Sequence, residues 1–290
     1  MKHAYLILAH NEFEVLRRLV SCLDDSRNDI YIHFDKKVTA LPDIRTRNAG
    51  LTVLDRRIDV RWGAPSMIEA EYALFSAAAS RGPYQYYHLL SGVDLPLKSQ
   101  DEIHAFFDAH NGEEFIGYTW TQMPPEFRRK VQCWHLFAED FKSRSFVKKA
   151  LRAGFLRLQE ALNLYRNRDV DFKKGSQWVS LTDGMVHFFL DHIDWVRRTF
   201  RATFCCDELV MQTLCWMSPY KEHIHSLESD GAGCVREIGW EQDASTGLWS
   251  LKDWSAADFE RLKASPALFA RKFNSSDPQF LEKIVSLSNH

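Results

Sequence analysis

The stretch Tyr84-Gln85-Tyr86-Tyr87-His88-Leu89-Leu90-Ser91-Gly92-Val93-Asp94-Leu95-Pro96-Leu97-Lys98-Ser99 decides the expected fold. Residues 86–90 form an aromatic and aliphatic run that is long enough for one buried strand and too short for a helix. Ser91-Gly92 breaks this run, and Pro96 is expected to prevent a return to a β-ladder. Asp94 is therefore predicted to lie in a turn directly after the strand.

Two roles are open for Asp94 at this position. In open α/β sheets, ligands bind beyond the carboxyl ends of the strands, and Asp94 follows such an end. An aspartate in a turn more often hydrogen-bonds only to its own turn, and the stretch by itself favours this structural role. Ser99 and Glu102 form a capping box, which predicts a helix directly after the turn.

The first hundred residues alternate between strand and helix patterns. Strands are predicted at 4–9, 30–34 and 51–54, and the first is apolar throughout, as in a strand covered on both faces. Helices are predicted after Asn11 and from a second capping box, Ser66 with Glu69. This alternation predicts an α/β fold with a twisted, mostly parallel central sheet and helices on both faces. Two further strands are predicted later in the chain, at 114–120 and 176–181.

Composition and motifs narrow the function classes. The 290 residues can bury a sizeable core, and a net charge of −2 argues against a nucleic-acid-binding protein. Neither a dinucleotide fingerprint nor a P-loop is present. Six cysteines without a CxxC pair predict buried thiols in a reducing compartment. The sequence shows no signal peptide and no apolar run long enough to cross a bilayer, which predicts a cytoplasmic protein.

The middle of the chain, residues 141–168, is predicted to be helical and basic. An apolar stripe runs along it, formed by Leu151, Phe155, Leu158 and Leu162, and its cations are Lys142, Arg144, Lys148, Lys149, Arg152, Arg157 and Arg166. The more common meaning of this pattern is a solvated helix packed on the sheet. The alternative is a surface for anionic lipid headgroups or a pyrophosphate-linked acceptor, which would bring the protein to the inner membrane face.

Three charged positions carry candidate chemistry. Asp207-Glu208 precedes an amphipathic helix, whose dipole favours an ionised carboxylate there. Such a carboxylate can take a proton from an attacking hydroxyl if it lies in a cleft, although most carboxylates at helix starts are caps. Arg236 and Lys272 are cations inside aromatic and aliphatic segments, where a solvated side chain is less expected.

Six motifs occur in one order over nearly the whole chain, at 32–37, 62–70, 90–98, 175–178, 207–208 and 268–273. They are Ile-His-Phe-Asp-Lys-Lys, Trp-Gly with Ser66 and Ala70, Leu-Ser-Gly-Val-Asp-Leu-Pro-Leu-Lys, Gly-Ser-Gln-Trp, Asp-Glu, and Leu-Phe-Ala-Arg-Lys-Phe. With them the chain resembles a bacterial member of the core-2/I-branching β-1,6-N-acetylglucosaminyltransferase family, which also includes the peptide O-xylosyltransferases. Animal members have a membrane anchor and disulfide bonds, and this sequence shows neither.

The resemblance implies a single glycosyltransferase domain, residues 1–290, with a GT-A-like nucleotide-sugar fold. Residues 1–120 would bind the nucleotide sugar, and residues 121–290 would supply the acceptor and catalytic half. The implied reaction moves a sugar, N-acetylglucosamine or xylose, from a UDP-sugar to a hydroxyl of a glycan or lipid-linked saccharide, with inversion. The UDP-sugar is a co-substrate, so neither a cofactor nor a metal ion is implied.

The resemblance also assigns roles to residues. Glu208 matches the general base, and Arg236 and Lys272 match two cations that hold the donor diphosphate in place of a metal. The remaining matches are Asp35, Tyr86 and Asp94 in the donor pocket, and Arg129 and Trp178 on the acceptor side. Inversion fits this set, because it needs one base for the acceptor hydroxyl and positive charge for the departing diphosphate.

Two alternatives stay open at this point. One is a metal-dependent GT-A glycosyltransferase that uses the Asp-x-Asp at Asp169 and Asp171, although this motif follows polar residues and not a hydrophobic strand. The other is a non-catalytic glycan-binding or nucleotide-sugar-binding protein that kept the fold. Metal independence is favoured because Asp94 offers one carboxylate at the strand end, which would leave Mg²⁺ short of protein ligands.

Overall fold

The computed structural model describes residues 1–140, 145–243, 247 and 249–288. Lys142 and Arg144 of the predicted basic helix lie outside the described residues. The elements are β1 His3–Ala9, α1 Phe13–Cys22, β2 Asn28–Phe34, β3 Gly50–Val53, α2 Ser66–Ala79, β4 Tyr86–Ser91, β5 Asp94–Pro96, α3 Gln100–Ala109, α4 Arg128–Gln132, α5 Phe146–Ala161, β6 Ser180–Thr182, α6 Asp183–Asp191, α7 Ile193–Phe200, α8 Val210–Met217, α9 Asp230–Cys234, β7 Arg236–Ile238, β8 Trp240–Gln242, β9 Trp249–Leu251, α10 Phe259–Ala264, β10 Phe269–Arg271 and α11 Pro278–Leu287.

The central sheet has the strand order β3-β2-β1-β4-β6. β1 pairs in parallel with β2 and β4, β2 pairs in parallel with β3, and β6 closes one edge antiparallel to β4. Every residue of β1 is buried, as its continuous apolar sequence predicts. The predicted α/β fold with a mostly parallel sheet is therefore confirmed.

The sheet is covered on both faces because successive residues of β1 point to opposite sides. Leu6 and Leu8 belong to one core layer, which includes residues of α2, α6 and α8. Tyr5 and Ile7 belong to the other, which includes residues of α1, α3, α11 and β10. Each layer contains residues from both the first 120 positions and the rest of the chain.

A second, three-stranded sheet with the order β5-β10-β7 joins the end of β4 to the C-terminal region. The prediction that Pro96 prevents a ladder is wrong, because β5 pairs antiparallel with β10. Proline is tolerated here because β5 is an edge strand and Pro96 is its last residue. This pairing puts Asp94 directly opposite Arg271.

The helix starts were predicted with mixed success. The Ser99–Glu102 capping box is confirmed, with the Ser99 hydroxyl accepting from the Glu102 N–H. The predicted cap at Asn11 is wrong, because Glu12 precedes α1 in a left-handed conformation. The predicted box at Ser66 is also wrong, since Ser66 is already helical and its hydroxyl accepts from the Arg61 N–H.

Two predicted strands are shorter in the structure. The segment 114–120 contributes isolated bridges and no regular strand to the described sheets. Of the segment 176–181, only Ser180 and Leu181 belong to β6, and the residues before them line a cavity. Polar and glycine residues at 174–177 explain the late start of this strand.

The basic helix α5 does not pack on the sheet as its apolar stripe predicted. Leu151 and Leu158 are each 53% exposed, and Leu162 at its end is 58% exposed. Within α5, whose residues are all described, Gln159 is the buried residue. Its amide oxygen accepts from the Trp134 N–H, and its amide nitrogen donates to the Trp134 carbonyl. The stripe is therefore an exposed apolar surface.

The cysteine prediction holds in part: all six are described, buried and present as free thiols. Through the described ranges, with their gaps at 141–144, 244–246, 248 and 289–290, no helix combines the length and apolar character that crossing a bilayer requires.

Candidate active site

A cavity of about 460 Å³ opens beyond the carboxyl ends of β1 and β4. This is where open α/β sheets bind ligands. Its walls come from residues far apart in the chain, among them His10, Ser91, Val93, Lys174, Gly175, Trp178, Asp207, Glu208, Arg271 and Lys272. The cavity therefore joins residues of both the first 120 positions and the rest of the chain.

Asp94 lies under this cavity and is 1% exposed. Its carboxylate accepts hydrogen bonds from the Ser91 N–H at 2.9 Å and from the Ser91 hydroxyl at 3.0 Å, which confirms the predicted structural role in its own turn. It also accepts from Nε of Arg271 at 3.1 Å. Asp94 is thus placed to orient a cavity residue, and it is not itself among the described lining residues.

Arg271 and Lys272 bring two adjacent positive charges to the cavity wall. The Arg271 guanidinium lies 4.1 Å from the ring centroid of Trp178, so it is held between this ring and Asp94. Lys272 Nζ lies 3.6 Å from Asp253 Oδ1. Both cations can donate to an anionic ligand, and the guanidinium geometry suits phosphate oxygens.

Glu208 lies in a short 3₁₀ turn, Cys206–Glu208, directly before α8. The Cys205 N–H donates to the Gly63 carbonyl, which anchors this turn to the predicted Trp62-Gly63 motif. The Glu208 carboxylate lies 3.1 Å from Lys174 Nζ and is 36% exposed toward the cavity. An exposed, oriented carboxylate in a cleft is the arrangement that a general base requires.

Glycine is required at 175 to bring Lys174 to Glu208. A Cβ at this position would lie 1.8 Å from the Gly117 carbonyl oxygen, so no side chain fits. The Gly175 N–H donates to the Glu208 carbonyl at 3.0 Å. The next N–H, of Ser176, donates to Asp230 at 2.7 Å, which fixes the segment on its other side.

Two further carboxyl groups lie near Glu208: Glu71 is buried, and Asp207 lines the cavity with its Oδ1 atom buried. Burial raises the pKa of Glu71 well above its usual value, and its carboxyl accepts from the Gln177 amide at 2.6 Å. Burial, and then the nearby charge of Glu208, raise the pKa of Asp207 to about 6. Asp207 Oδ1 has no hydrogen-bond partner among the described residues. The two groups near Glu208 therefore resist ionisation.

Asp35 and Trp178, expected at the donor pocket and on the acceptor side, both line cavities at this end of the sheet. Trp178 is part of the wall. Asp35 lines a smaller cavity of about 40 Å³ that shares Leu8, His10 and Met67 with the large one.

Arg236 and Tyr86, expected to contact the donor, are not among the described residues that line this cavity, and donor contact by either stays a prediction. Arg236 is 2% exposed, and its guanidinium donates to the carbonyls of Cys234 and Val179 and to the Ser180 hydroxyl. Both terminal guanidinium nitrogens are therefore used inside the protein, while the buried Nε has no hydrogen-bond partner among the described residues. Tyr86 is fully buried, and its hydroxyl donates to the His110 carbonyl at 2.7 Å.

Arg129 and the Asp-x-Asp motif also lie apart from the described cavity lining. Arg129 forms an exposed bidentate ion pair with Glu160 of α5, and its role on the acceptor side stays a prediction. Asp171 is exposed and pairs with Lys173, and Asp169 is exposed as well. Neither aspartate is among the described residues that line the cavity, where the metal-dependent alternative would need them.

The profile of the family described as "Core-2/I-Branching enzyme" matches residues 3–284. The chain belongs to this family. The chain is similar to the human N-acetyllactosaminide beta-1,6-N-acetylglucosaminyl-transferase. The two sequences are 23% identical over 290 residues, and the match covers 93% of this chain and 67% of the human protein. Membership in the Core-2/I-Branching family confirms the predicted family and the predicted enzyme class, a glycosyltransferase.

Two solved structures of S. aureus TarS are weakly similar to this Core-2/I-Branching enzyme. One matches with a TM-score of 0.28 and 12% identity over 59% of this chain and 31% of the TarS chain. The other, TarS 1-349, matches with a TM-score of 0.27 and 12% identity over 57% of this chain and 50% of that one. The enzyme thus spans half or less of these solved chains.

Sequence reasoning missed Arg271 and Lys174. Two features of the sequence could have indicated Arg271. It stands in the same motif as Lys272, and the two-residue period of a strand puts it on the same face as the apolar Phe269. Lys174 precedes the Gly-Ser-Gln-Trp motif, and nothing in its local sequence links it to Glu208.

We predict that Asp207→Asn stabilises this Core-2/I-Branching enzyme at pH 7. The pKa of Asp207 rises from an ordinary 3.8 to about 6 in the folded state, so the folded protein binds the proton more tightly than the unfolded chain. Stability is therefore lost as the pH rises from 4 to 6, by about 2–3 kcal/mol. Asparagine removes this loss, so urea unfolding should show the variant more stable at pH 7 and nearly equal to the wild type below pH 4.

The exposed Asp43→Asn is the matched control and should change unfolding free energy by less than about 0.5 kcal/mol at either pH. A difference between Asp207→Asn and the wild type that stays constant between pH 4 and 7 would contradict the prediction.

Proposed function

We propose that this enzyme transfers N-acetylglucosamine or xylose from a UDP-sugar to a hydroxyl of a glycan or lipid-linked saccharide, with inversion and without a metal ion. The observation that carries the proposal is the meeting of Glu208 with Arg271 and Lys272 around one strand-end cavity. N-acetylglucosamine is the sugar in the name of the human relative.

The donor diphosphate would lie against Arg271 and Lys272. Arg271 would take the role that the family resemblance implies for Arg236, because Arg271 lines the cavity while Asp94 and Trp178 hold its guanidinium. A fixed cation costs little reorganisation when negative charge develops on the leaving diphosphate. Two such cations can therefore supply the electrostatic stabilisation that a metal ion would provide.

Glu208 would act as the general base. Its carboxylate accepts the proton of the acceptor hydroxyl while the hydroxyl oxygen forms a bond to the anomeric carbon. The bond from that carbon to the diphosphate breaks on the opposite face, and its electron pair leaves with UDP. One displacement of this kind inverts the anomeric configuration. Lys174, 3.1 Å away, orients the carboxylate.

The acceptor would lie near an aromatic rim. Trp62 and Trp240 both line the cavity and are 55% and 54% exposed. Large exposed aromatic rings offer rigid apolar faces at binding sites, here for the flat faces of sugar rings.

The exposed stripe of α5 supports a second proposal, that a cytoplasmic enzyme rests on the inner membrane face. Val147, Leu151 and Leu158 present an exposed apolar surface, and Lys149 and Arg157 are exposed cations of the same helix. An amphipathic helix with this composition binds at the headgroup boundary of anionic bilayers.

For the base, we expect Glu208→Gln to lower turnover by about 100-fold or more while donor affinity stays unchanged. Glutamine keeps the shape of the side chain but cannot accept the proton. Transfer assays with UDP-sugars, together with calorimetry of UDP binding, measure both quantities. Glu228→Gln, at an exposed position, is the matched control. Near-normal turnover of Glu208→Gln would remove this residue from the mechanism.

For the donor site, we expect transfer to persist in excess EDTA and Lys272→Ala to weaken UDP binding by about tenfold or more, with or without added manganese. Lys263→Ala, a change to an exposed lysine of α10, should leave binding unchanged. Activity that EDTA abolishes, that manganese restores and that Asp171→Asn eliminates would establish the metal-dependent alternative instead.

For the membrane surface, we expect the enzyme to co-sediment with vesicles that contain anionic lipid and to be released at high salt. The double change Leu151→Gln and Leu158→Gln should abolish co-sedimentation, whereas Leu227→Gln, at another leucine that is 51% exposed, should not. Vesicle binding that depends neither on the charge of the lipid nor on the two leucines would refute the proposal.

A further inference from the structure

We propose that His110, Glu113 and His225 form a Zn²⁺ site, separate from the active site. One ring nitrogen of each histidine and one carboxylate oxygen of Glu113 lie within 4.8 Å of one another. None of the three residues is among the described residues that line the two cavities.

The turn that carries His110 and Glu113 is fixed by Tyr86 from below. The Glu113 N–H donates to the His110 carbonyl at 3.1 Å, which closes a four-residue turn, and Gly112 adopts a φ of +93° that glycine tolerates. The buried Tyr86 hydroxyl donates to the His110 carbonyl at 2.7 Å and accepts from the Gly112 N–H at 3.1 Å. Tyr86, expected in the donor pocket, thus supports this turn.

His225 comes from the other half of the chain and is also held by its backbone. The Glu114 N–H donates to the His223 carbonyl at 2.8 Å, and the His225 N–H donates to the Glu114 carbonyl at 3.0 Å. The His225 ring packs on Phe115 with centroids 4.5 Å apart. The three side chains therefore meet because two backbone segments are paired.

The ring contacts give both histidines the chemistry of metal ligands. His110 Nδ1 lies 2.8 Å from the Phe106 carbonyl, which can only accept, so this nitrogen carries the hydrogen and Nε2 keeps its lone pair. A bond from the second ring nitrogen to a carbonyl is typical of metal-ligating histidines. His225 Nδ1 shares a proton with Glu113 Oε2 at 2.5 Å, and a cation can replace that proton.

Two imidazoles and one carboxylate match the preference of zinc. Zn²⁺ binds this set at about 2.0–2.2 Å and leaves a fourth position to water, whereas Ca²⁺ and Mg²⁺ prefer oxygen ligands throughout. Binding needs the ligand atoms to move somewhat closer together. The Glu113 side chain, 40% exposed, has the freedom to close this gap. A bound ion would link the end of α3 to residues 223–225.

The test is zinc titration of the tag-free, EDTA-stripped and dialysed full chain, by calorimetry and by thermal unfolding. We expect one Zn²⁺ per chain and an unfolding temperature that rises with zinc concentration. His110→Ala, His225→Ala and Glu113→Gln should each weaken zinc binding by more than about tenfold. The loss of a residue that only hydrogen-bonds a metal ligand already weakens binding by about tenfold, and these variants remove a ligand itself. His223→Ala removes an exposed histidine two residues away and should bind zinc normally.

An unfolding temperature of the wild-type chain that does not change with zinc concentration would overturn the proposal. Equal losses of zinc affinity in His223→Ala and His110→Ala would overturn it as well. If His225→Ala does not fold, Glu113→Gln decides, because it keeps the shape of the side chain. Transfer by Glu113→Gln should match the wild type, so failure of the zinc site and failure of the proposed transfer reaction are separate results.

Discussion

The ion pair between Asp94 and Arg271 is the interaction on which the cavity depends. An almost fully buried carboxylate is stable only with partners, and Asp94 has the Ser91 backbone, the Ser91 hydroxyl and the Arg271 guanidinium. Removing one partner of such a pair typically costs about 3–5 kcal/mol. Because the two residues face each other across β5 and β10, the pair also joins the end of β4 to the C-terminal strand. The same contact that joins these strands holds the Arg271 guanidinium at the cavity wall.

The cavity wall carries charges of both signs. Arg271 and Lys272 contribute two cations, the exposed Asp253 lies beside Lys272, and Glu208 pairs with Lys174 and is 36% exposed. Burial raises the pKa values of Glu71 and Asp207 near Glu208, which disfavours their ionised forms. The inverting displacement that we propose needs both kinds of charge, a cation for the leaving anion and a carboxylate for the proton of the acceptor hydroxyl.

Local patterns predicted the sheet, the Ser99 capping box and the position of Glu208, because these depend on neighbours in sequence. They failed where the answer depends on distant contacts. Arg236 is a charge in an apolar segment, and the sequence cannot tell whether carbonyls or a ligand satisfy it. Arg271 gains its role from the register of β10 against β5, which no local pattern contains. The stripe of α5 has the period of a buried helix face, but the period does not say what covers it.

A crystal structure with UDP, grown in the presence of EDTA, would locate the donor site. We expect the diphosphate within hydrogen-bond distance of Arg271 and Lys272, no metal ion at the phosphates, and Glu208 facing the open part of the same cavity. A diphosphate held through a metal ion at Asp169 and Asp171, or bound at Arg236, would contradict this expectation.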